Sequence, residues 1–244
     1  MEIIGVIAEY NPFSNGHKYH LNEIKKMYPE SIIIAVISTS FCQRTISFLN
    51  KWEKTRICLE EGIDIVIELP FVFSTQGADI FSKGAMAILN NLKVDKIIFG
   101  SESNNIDNLK KIAINQLENK NFDEDLKKYL KMGKNYPTSI SLASNSKIST
   151  PNDLLAISYI KEIIKNNYPI TPISIKRTND YNSLDVKGDI ISATSIRNLL
   201  SKNMDIKKYI PENEINCIYK NIDIFPFLKY KILSDKNILI SYVD

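Results

Sequence analysis

Gly5-Val-Ile-Ala-Glu-Tyr-Asn-Pro-Phe-Ser-Asn-Gly-His-Lys-Tyr-His20 is the stretch whose reading decides the fold. An apolar run stops at Asn11-Pro12, and helix-forming spacing resumes after Asn15-Gly16. Proline has no N–H for a strand ladder, and Gly16 permits a tight turn or the close approach of a ligand. Leu21, Ile24 and Tyr28 follow at i, i+3 and i+7, the apolar stripe of a helix packed on a sheet. Both histidines of the chain, His17 and His20, fall in the first turn of that helix. A strand, a glycine-bearing turn and a polar helix N-terminus predict a phosphate site, because unpaired N–H groups and the positive end of the helix dipole face the turn.

Outward from this stretch, short β-branched runs alternate with helical patterns. Ile3 to Ala8, Ile32 to Ile37, Asp64 to Leu69, Lys96 to Phe99 and Ile173 to Lys176 read as strands. Several are almost wholly apolar, as parallel strands covered on both faces are. Residues 17–28, 51–61, 79–91 and 105–118 are amphipathic and long enough to be crossover helices. This alternation predicts an α/β fold with a doubly wound parallel sheet, which binds ligands at the carboxyl ends of its strands. The segments 11–17, 38–44, 69–76, 100–103 and 177–194 all follow strands and would line that edge. Further helices are expected around residues 123–132, after Tyr136-Pro137-Thr138, and from Ser149-Thr150-Pro151-Asn152-Asp153 onward. Beyond Pro211 the pattern becomes a loosely helical tail of mixed charge, so the expected division is a catalytic domain over 1–210 and the start of a helical region over 211–244.

The composition is that of a globular protein, 44% hydrophobic and 24% charged, within a chain of 244 residues that can bury a sizeable core. A net charge of +3 is too mild to argue for nucleic-acid binding by itself. Cys42, Cys58 and Cys217 are widely spaced, without a C-x-x-C pair, and read as reduced thiols. His17 and His20 have no third ligand spaced nearby, so no metal site is expected from them. Met1-Glu2 lacks a basic leader, and no stretch approaches the roughly 18 apolar residues of a membrane span. These features predict a cytoplasmic protein without a membrane partner; oligomeric state is not legible.

The second informative stretch is Ile191-Ser192-Ala193-Thr194-Ser195-Ile196-Arg197. Hydroxyl residues precede the stripe of Ile196, Leu199 and Leu200, so Ser192 or Thr194 is the expected N-cap. A hydroxyl-rich helix start with Arg197 one turn in suits an anionic cluster of oxygens, although caps of this kind are common. Taken together, the two stretches resemble the T/H-x-G-H and I-S-x-T-x-x-R signatures of the nucleotidylyltransferase superfamily.

The similarity extends to shorter blocks in the same order: Gln43-Arg44, Lys51-Trp52-Glu53-Lys54-Thr55, Asp64-Ile-Val-Ile-Glu-Leu-Pro70, Ala78-Asp79-Ile80-Phe81, Phe99-Gly100-Ser101-Glu102, Pro151-Asn152, and Arg177 through Asp180-Tyr181. With these, about the first 210 residues resemble the bacterial tRNA(Met) cytidine acetate ligases. The resemblance implies a Rossmann-like sheet and an ATP-dependent ligase that activates acetate as acetyl-adenylate. It then passes the acetyl group to the wobble cytidine of elongator tRNA(Met). Carried over by position, the ATP site comprises Ile7, Ala8, Glu9, Tyr10, Asn11, Pro12, Phe13, Ser14, Asn15, Gly16, His17, Lys18, Tyr19 and His20. Gly100, Asn152, Arg177, Thr178, Ser192 and Thr194 complete it, with Mg²⁺ expected alongside ATP. His17, Ser14 and Arg197 are the candidate catalytic residues, placed where negative charge grows as pyrophosphate leaves.

The chain departs from the family at Ser14, where the pattern has histidine. Losing one such donor typically costs about two to three decades in rate, so ATP binding with slower turnover is the expectation. Two other readings stay open at this point: a nucleotidylyltransferase acting on a small phosphorylated substrate, and a nucleotide- or RNA-binding protein with weakened catalysis. Lys51-Trp52 reads either as a substrate contact or as part of an amphipathic helix with a buried Trp. Asp79 reads either as an N-cap or as a site carboxylate, and Glu9 and Glu68 either help position Mg²⁺-ATP or pair with lysine.

Overall fold

In the computed structural model, residues 1–43, 45–146, 148, 150–177, 189–211 and 225–235 are described. The strands are β1 (Ile3–Ala8), β2 (Ile32–Ile37), β3 (Ile65–Glu68), β4 (Lys96–Ser101) and β5 (Thr171–Lys176). The helices are α1 (Asn15–Met27), α2 (Lys51–Glu60), α3 (Phe71–Ser74), α4 (Ala78–Asn91), α5 (Ile106–Glu118), α6 (Phe122–Lys131), α7 (Tyr136–Ala143), α8 (Pro151–Asn166), α9 (Ala193–Ser201) and α10 (Phe225–Ser234). All the strand pairs are parallel, in the order β3-β2-β1-β4-β5.

The apolar strands divide their side chains between two cores with the period of two that a pleat imposes. Ile4, Val6, Ile33, Ala35, Ile37 and Ile98 face the layer containing α1 and α2, where Leu21, Ile24, Ile57 and Cys58 meet them. Ile34, Val36, Ile97 and Phe99 face the other way, toward Met86, Leu89, Leu109, Ile157 and Ile160 of α4, α5 and α8. Burial on both faces explains why these strands carry almost no polar residues. A smaller cluster of Ile191, Ile196, Ile206 and Ile210 packs α9 against the turn that follows it.

Several sequence readings need adjustment. β5 begins at Thr171 rather than Ile173, since Pro172 is accommodated on an edge strand where a missing donor is tolerated. The 69–76 connection contains the short helix α3. Trp52 is not buried in α2 but stands 75% exposed. Asp79 is neither an N-cap nor a crevice carboxylate: Gly77 caps α4, and Asp79 accepts hydrogen bonds from Tyr136, Ser158 and Lys161, tying α4 to α7 and α8. The expected boundary at 210/211 adjoins residues outside the described set, as does Cys217.

What positions the site is the reversal of strand order at β1. The chain goes from β1 outward to β2 and β3, then returns to place β4 on the other side of β1. Loops therefore diverge above β1 and β4 and leave a crevice at their carboxyl ends. Gly5 lets a helix lie close to this central strand, because a Cβ there would meet Leu89 Cδ1 at 2.8 Å and Val94 Cγ1 at 3.1 Å. Leu89 is fully buried and has little room to yield. Gly5→Ala is expected to cost about 1–3 kcal/mol by overpacking, seen as a lower melting temperature; an unchanged melting temperature would show that α4 yields freely.

Candidate functional site at the β1–β4 switch point

The strand-turn-helix segment delivers its side chains into this crevice. Ser14 is the N-cap of α1, and its backbone N–H donates to His17 Nδ1 at 3.0 Å. The Ser14 hydroxyl, itself buried, lies 3.1 Å from the same nitrogen. With Nδ1 an acceptor, the proton of the neutral ring sits on Nε2. Tyr10 is set edge-on to His17 at a centroid distance of 4.9 Å, and Phe13 lies at 5.6 Å. Tyr10 takes a positive φ of 44°, a conformation uncommon for a bulky side chain, and the Asn11–Pro12 peptide is cis. Desolvation, then the positive charge of Arg177, pushes the His17 pKa down to about 3. The same two causes lower His20 to about 4. Both rings are therefore neutral at physiological pH, and His17 presents a hydrogen-bond donor without a net charge.

The second stretch joins the first across 186 residues of sequence. Arg197 Nη1 donates to the Asn11 carbonyl at 2.7 Å and Nη2 to Thr194 Oγ1 at 3.0 Å. Ser192 is the N-cap of α9, accepting from the Ser195 N–H. Asn15 Nδ2 donates to the carbonyls of Asp189 and Lys208, and Ile190 packs near Gly16, its Cγ2 3.4 Å from where a Cβ would stand, an ordinary contact distance. The Asn11 side chain faces the other way, accepting from Phe48 N–H and donating to Thr45 Oγ1.

Lys54, absent from the predicted site, is its central fastening. It is fully buried, and its ammonium donates to the carbonyls of Glu9 at 2.9 Å, Ser38 at 2.8 Å and Thr39 at 3.2 Å. Three acceptors match three ammonium protons and offset the desolvation that lowers its pKa. A sequence signal existed: Lys54 occupies the apolar stripe of α2, at i−3 and i−4 from buried Ile57 and Cys58. Glu9 accepts from the Gln43 N–H, which closes the loop after β2 over the crevice.

On the β4 side, Gly100 lies beneath Arg177, whose Cγ would be 3.2 Å from a Cβ at that position. Arg177 Nε is 3.9 Å from Glu102 Oε1. Asn152 Nδ2 donates to Glu102 Oε1 at 2.6 Å, and Asp153 N–H donates to Oε2. Buried Asp153 in turn accepts from Ser101, Ser103 and Thr150, which fixes the start of α8 against the end of β4. Glu102 and Asp153 were not singled out as site residues, although both lie beside residues that were.

Of the other residues considered, Ile7 and Ala8 end β1 below the crevice, Lys18 pairs with Glu61, and Glu68 accepts from Thr39 and Lys51. Thr178 and Arg44 lie outside the described residues. Seven buried side-chain polar atoms have no hydrogen-bond partner among the described residues, and two of them, His20 Nε2 and Arg177 Nε, belong to predicted site residues that interact electrostatically with each other. Among the described residues, no group of three or more His, Cys, Asp or Glu side chains is arranged to hold a metal ion. No described helix is long and apolar enough to cross a membrane.

A doubly wound sheet carrying a histidine-bearing turn at its switch point, with an arginine docked from a later helix, defines a nucleotidyl transferase. Residues 1–244 match the family described as HIGH Nucleotidyl Transferase. A tRNA(Met) cytidine acetate ligase of Mesomycoplasma hyopneumoniae is 42% identical over 231 residues, covering 91% of this chain and 72% of the relative. The Fusobacterium nucleatum protein of that name is 43% identical over 96% of this chain and 57% of its own length. The crystal structure of Thermotoga maritima TmcAL bound with alpha-thio ATP superposes with a TM-score of 0.76 at 33% identity, covering 96% of this chain and 56% of that one. This chain belongs to the tRNA(Met) cytidine acetate ligase family.

The histidines also make a stability prediction. Their folded pKa values of about 3 and 4 lie below the ordinary 6.5, so the unfolded chain binds more protons between those limits. The contribution is fully present above pH 6.5 and is lost as pH falls. The urea midpoint should therefore drop between pH 6.5 and about 5, above the usual carboxylate range, and a His17→Gln, His20→Gln double variant should flatten that slope. A slope the double variant leaves unchanged would contradict neutral burial of both rings.

Proposed function

We propose that this chain binds ATP at the β1–β4 crevice, activates acetate as acetyl-adenylate and transfers the acetyl group to the wobble cytidine of elongator tRNA(Met). The observation carrying this reading is the neutral His17 ring, with its Nε2 proton, held at the start of α1 by the β1–β4 switch point and within electrostatic reach of Arg177 and His20. Family membership supplies acetate and tRNA as the substrates to test.

In the first step an acetate oxygen attacks the α-phosphorus, and the bond to the bridging oxygen breaks to release pyrophosphate. Negative charge grows on the α,β-bridging and non-bridging oxygens. The Nε2 proton of His17, the free N–H groups at the start of α1 and the Arg177 guanidinium stabilise it from fixed positions, which avoids reorganisation during the reaction. Arg197 acts by holding the Asn11 carbonyl and so the shape of the turn. In the second step the exocyclic amine of cytidine attacks the acetyl carbonyl carbon, AMP departs, and the amine loses a proton. Mg²⁺ would be carried mainly by the triphosphate and water, as that ion prefers, with Glu9 at the rim.

Ser14 stands where the family has histidine, and its hydroxyl and N–H both address His17 Nδ1. Its role is to orient that ring. Acetate-dependent exchange of labelled pyrophosphate into ATP tests the reading. His17→Ala is expected to lower exchange about 10²- to 10³-fold, and Ser14→Ala to lower it less, since the backbone N–H to Nδ1 survives. ATP binding without acetate-dependent exchange in the unsubstituted chain would overturn the ligase reading.

A further inference from the structure

Glu102 follows directly on the last residue of β4, and its side chain is 12% exposed, so its carboxylate relies on protein donors more than on water. Oε1 accepts from Asn152 Nδ2 at 2.6 Å and Oε2 from the Asp153 N–H at 3.0 Å, both donors belonging to the first turn of α8. Arg177 Nε lies 3.9 Å from Oε1, and the Glu102 carbonyl accepts from Lys176 at the end of β5. Arg177 in turn acts electrostatically on His17 and His20. The Glu102–Asn152 pair therefore stands at the carboxyl edge of β4, on the Arg177 side of the crevice.

These contacts settle which way the Asn152 amide points. A carboxylate accepts only, so the amide turns its –NH2 toward Glu102 and its Oδ1 away. Oδ1 accepts no hydrogen bond among the described residues and, unlike Arg177 Nε, is not enclosed. Glu102 thus converts a side chain that could donate or accept into a fixed acceptor. A fixed acceptor distinguishes between ligands only where the atom it meets is itself one-sided. A ribose hydroxyl donates and accepts, so either orientation of the amide suits it. An exocyclic amine of a base donates, whereas a carbonyl in its place would meet Oδ1 oxygen to oxygen and leave both unpaired.

We propose that Glu102 is a positioning residue that fixes Asn152 as the acceptor for the 6-amino group of adenine, so that the crevice selects ATP over nucleotides carrying a 6-carbonyl. This rests on ATP binding at the crevice and not on acetyl transfer. Glu102→Gln tests it, because glutamine brings one acceptor and one donor to a place that needs two acceptors. The Asp153 N–H cannot reverse its role, so the glutamine oxygen stays with it and the glutamine –NH2 faces Asn152. The Asn152 amide then turns over, and its outward group becomes a donor.

Calorimetric titration of the full chain with ATP and with inosine triphosphate, which keeps the ribose and the phosphates, reads the outcome. The unsubstituted chain should bind ATP about tenfold more tightly than inosine triphosphate. Glu102→Gln should weaken ATP, strengthen inosine triphosphate and abolish the preference; a gain in binding is something a loosened fold does not produce. Asn152→Ala should bind the two nucleotides without preference. Equal affinities in the unsubstituted chain, binding of neither nucleotide, or a preference for ATP that survives in either variant would overturn the proposal. A preference that both variants remove, in a chain without acetate-dependent exchange, would leave the proposal standing and remove the ligase reading instead. Acetate-dependent exchange with equal affinity for the two nucleotides would do the reverse.

Discussion

The Lys54 ammonium gathers the carboxyl edge of the sheet into one object. Strands β1 and β2 end with carbonyls that no ladder partner satisfies, and the buried ammonium takes those of Glu9, Ser38 and Thr39 together. A buried cation is tolerable when every proton has an acceptor, and breaking such a set leaves unpaired groups on both sides. The chain reversal at Tyr10 follows directly on Glu9, so the Lys54 contact lies immediately upstream of the turn that presents His17. Asn11, one residue further on, is then held from three directions: by the loop at Thr45, by Phe48 and by Arg197. The turn is short, and Glu9 and Asn11 within it are fixed by elements from other parts of the chain.

That arrangement explains how a crevice proposed to bind a polyanion can contain two uncharged imidazoles. Enclosure by Tyr10 and Phe13 and the nearby charge of Arg177 both disfavour a second proton on His17. The positive potential then comes from arginine and helix-start amides, while the histidine contributes direction. A donor whose protonation does not change on binding gives the same hydrogen bond across the physiological pH range. Division of labour between charge and direction is the physical content of the two sequence motifs.

Much of the fold was legible, because its signals are local. The continuous apolar runs at Ile32–Ile37 and Ile3–Ala8 and the capped stripes at Leu21 and Ile196 each carry their own answer. The placement of Arg197 beside the first motif was suggested only by family resemblance, since no local pattern encodes a contact between residues 186 positions apart. Lys54 was missed because a lysine reads as solvated unless its place on the apolar stripe is weighed. For Trp52 the sequence left open a substrate contact or a buried indole, and the exposure of the ring removes the second. Ser14 looked like a weaker substitute for a phosphate donor, whereas its contacts are with the histidine it precedes.

The central claim is that His17 meets the nucleotide as a neutral ring protonated on Nε2. Because the chain has two histidines, ¹⁵N-histidine labelling resolves both rings in one NMR spectrum. At pH 7 the account predicts that His17 shows a protonated Nε2 and a hydrogen-bonded, unprotonated Nδ1, and that ATP shifts the Nε2–H resonance without adding a second proton. A His17 ring that titrates near its ordinary value and keeps its resonances when ATP binds would contradict it.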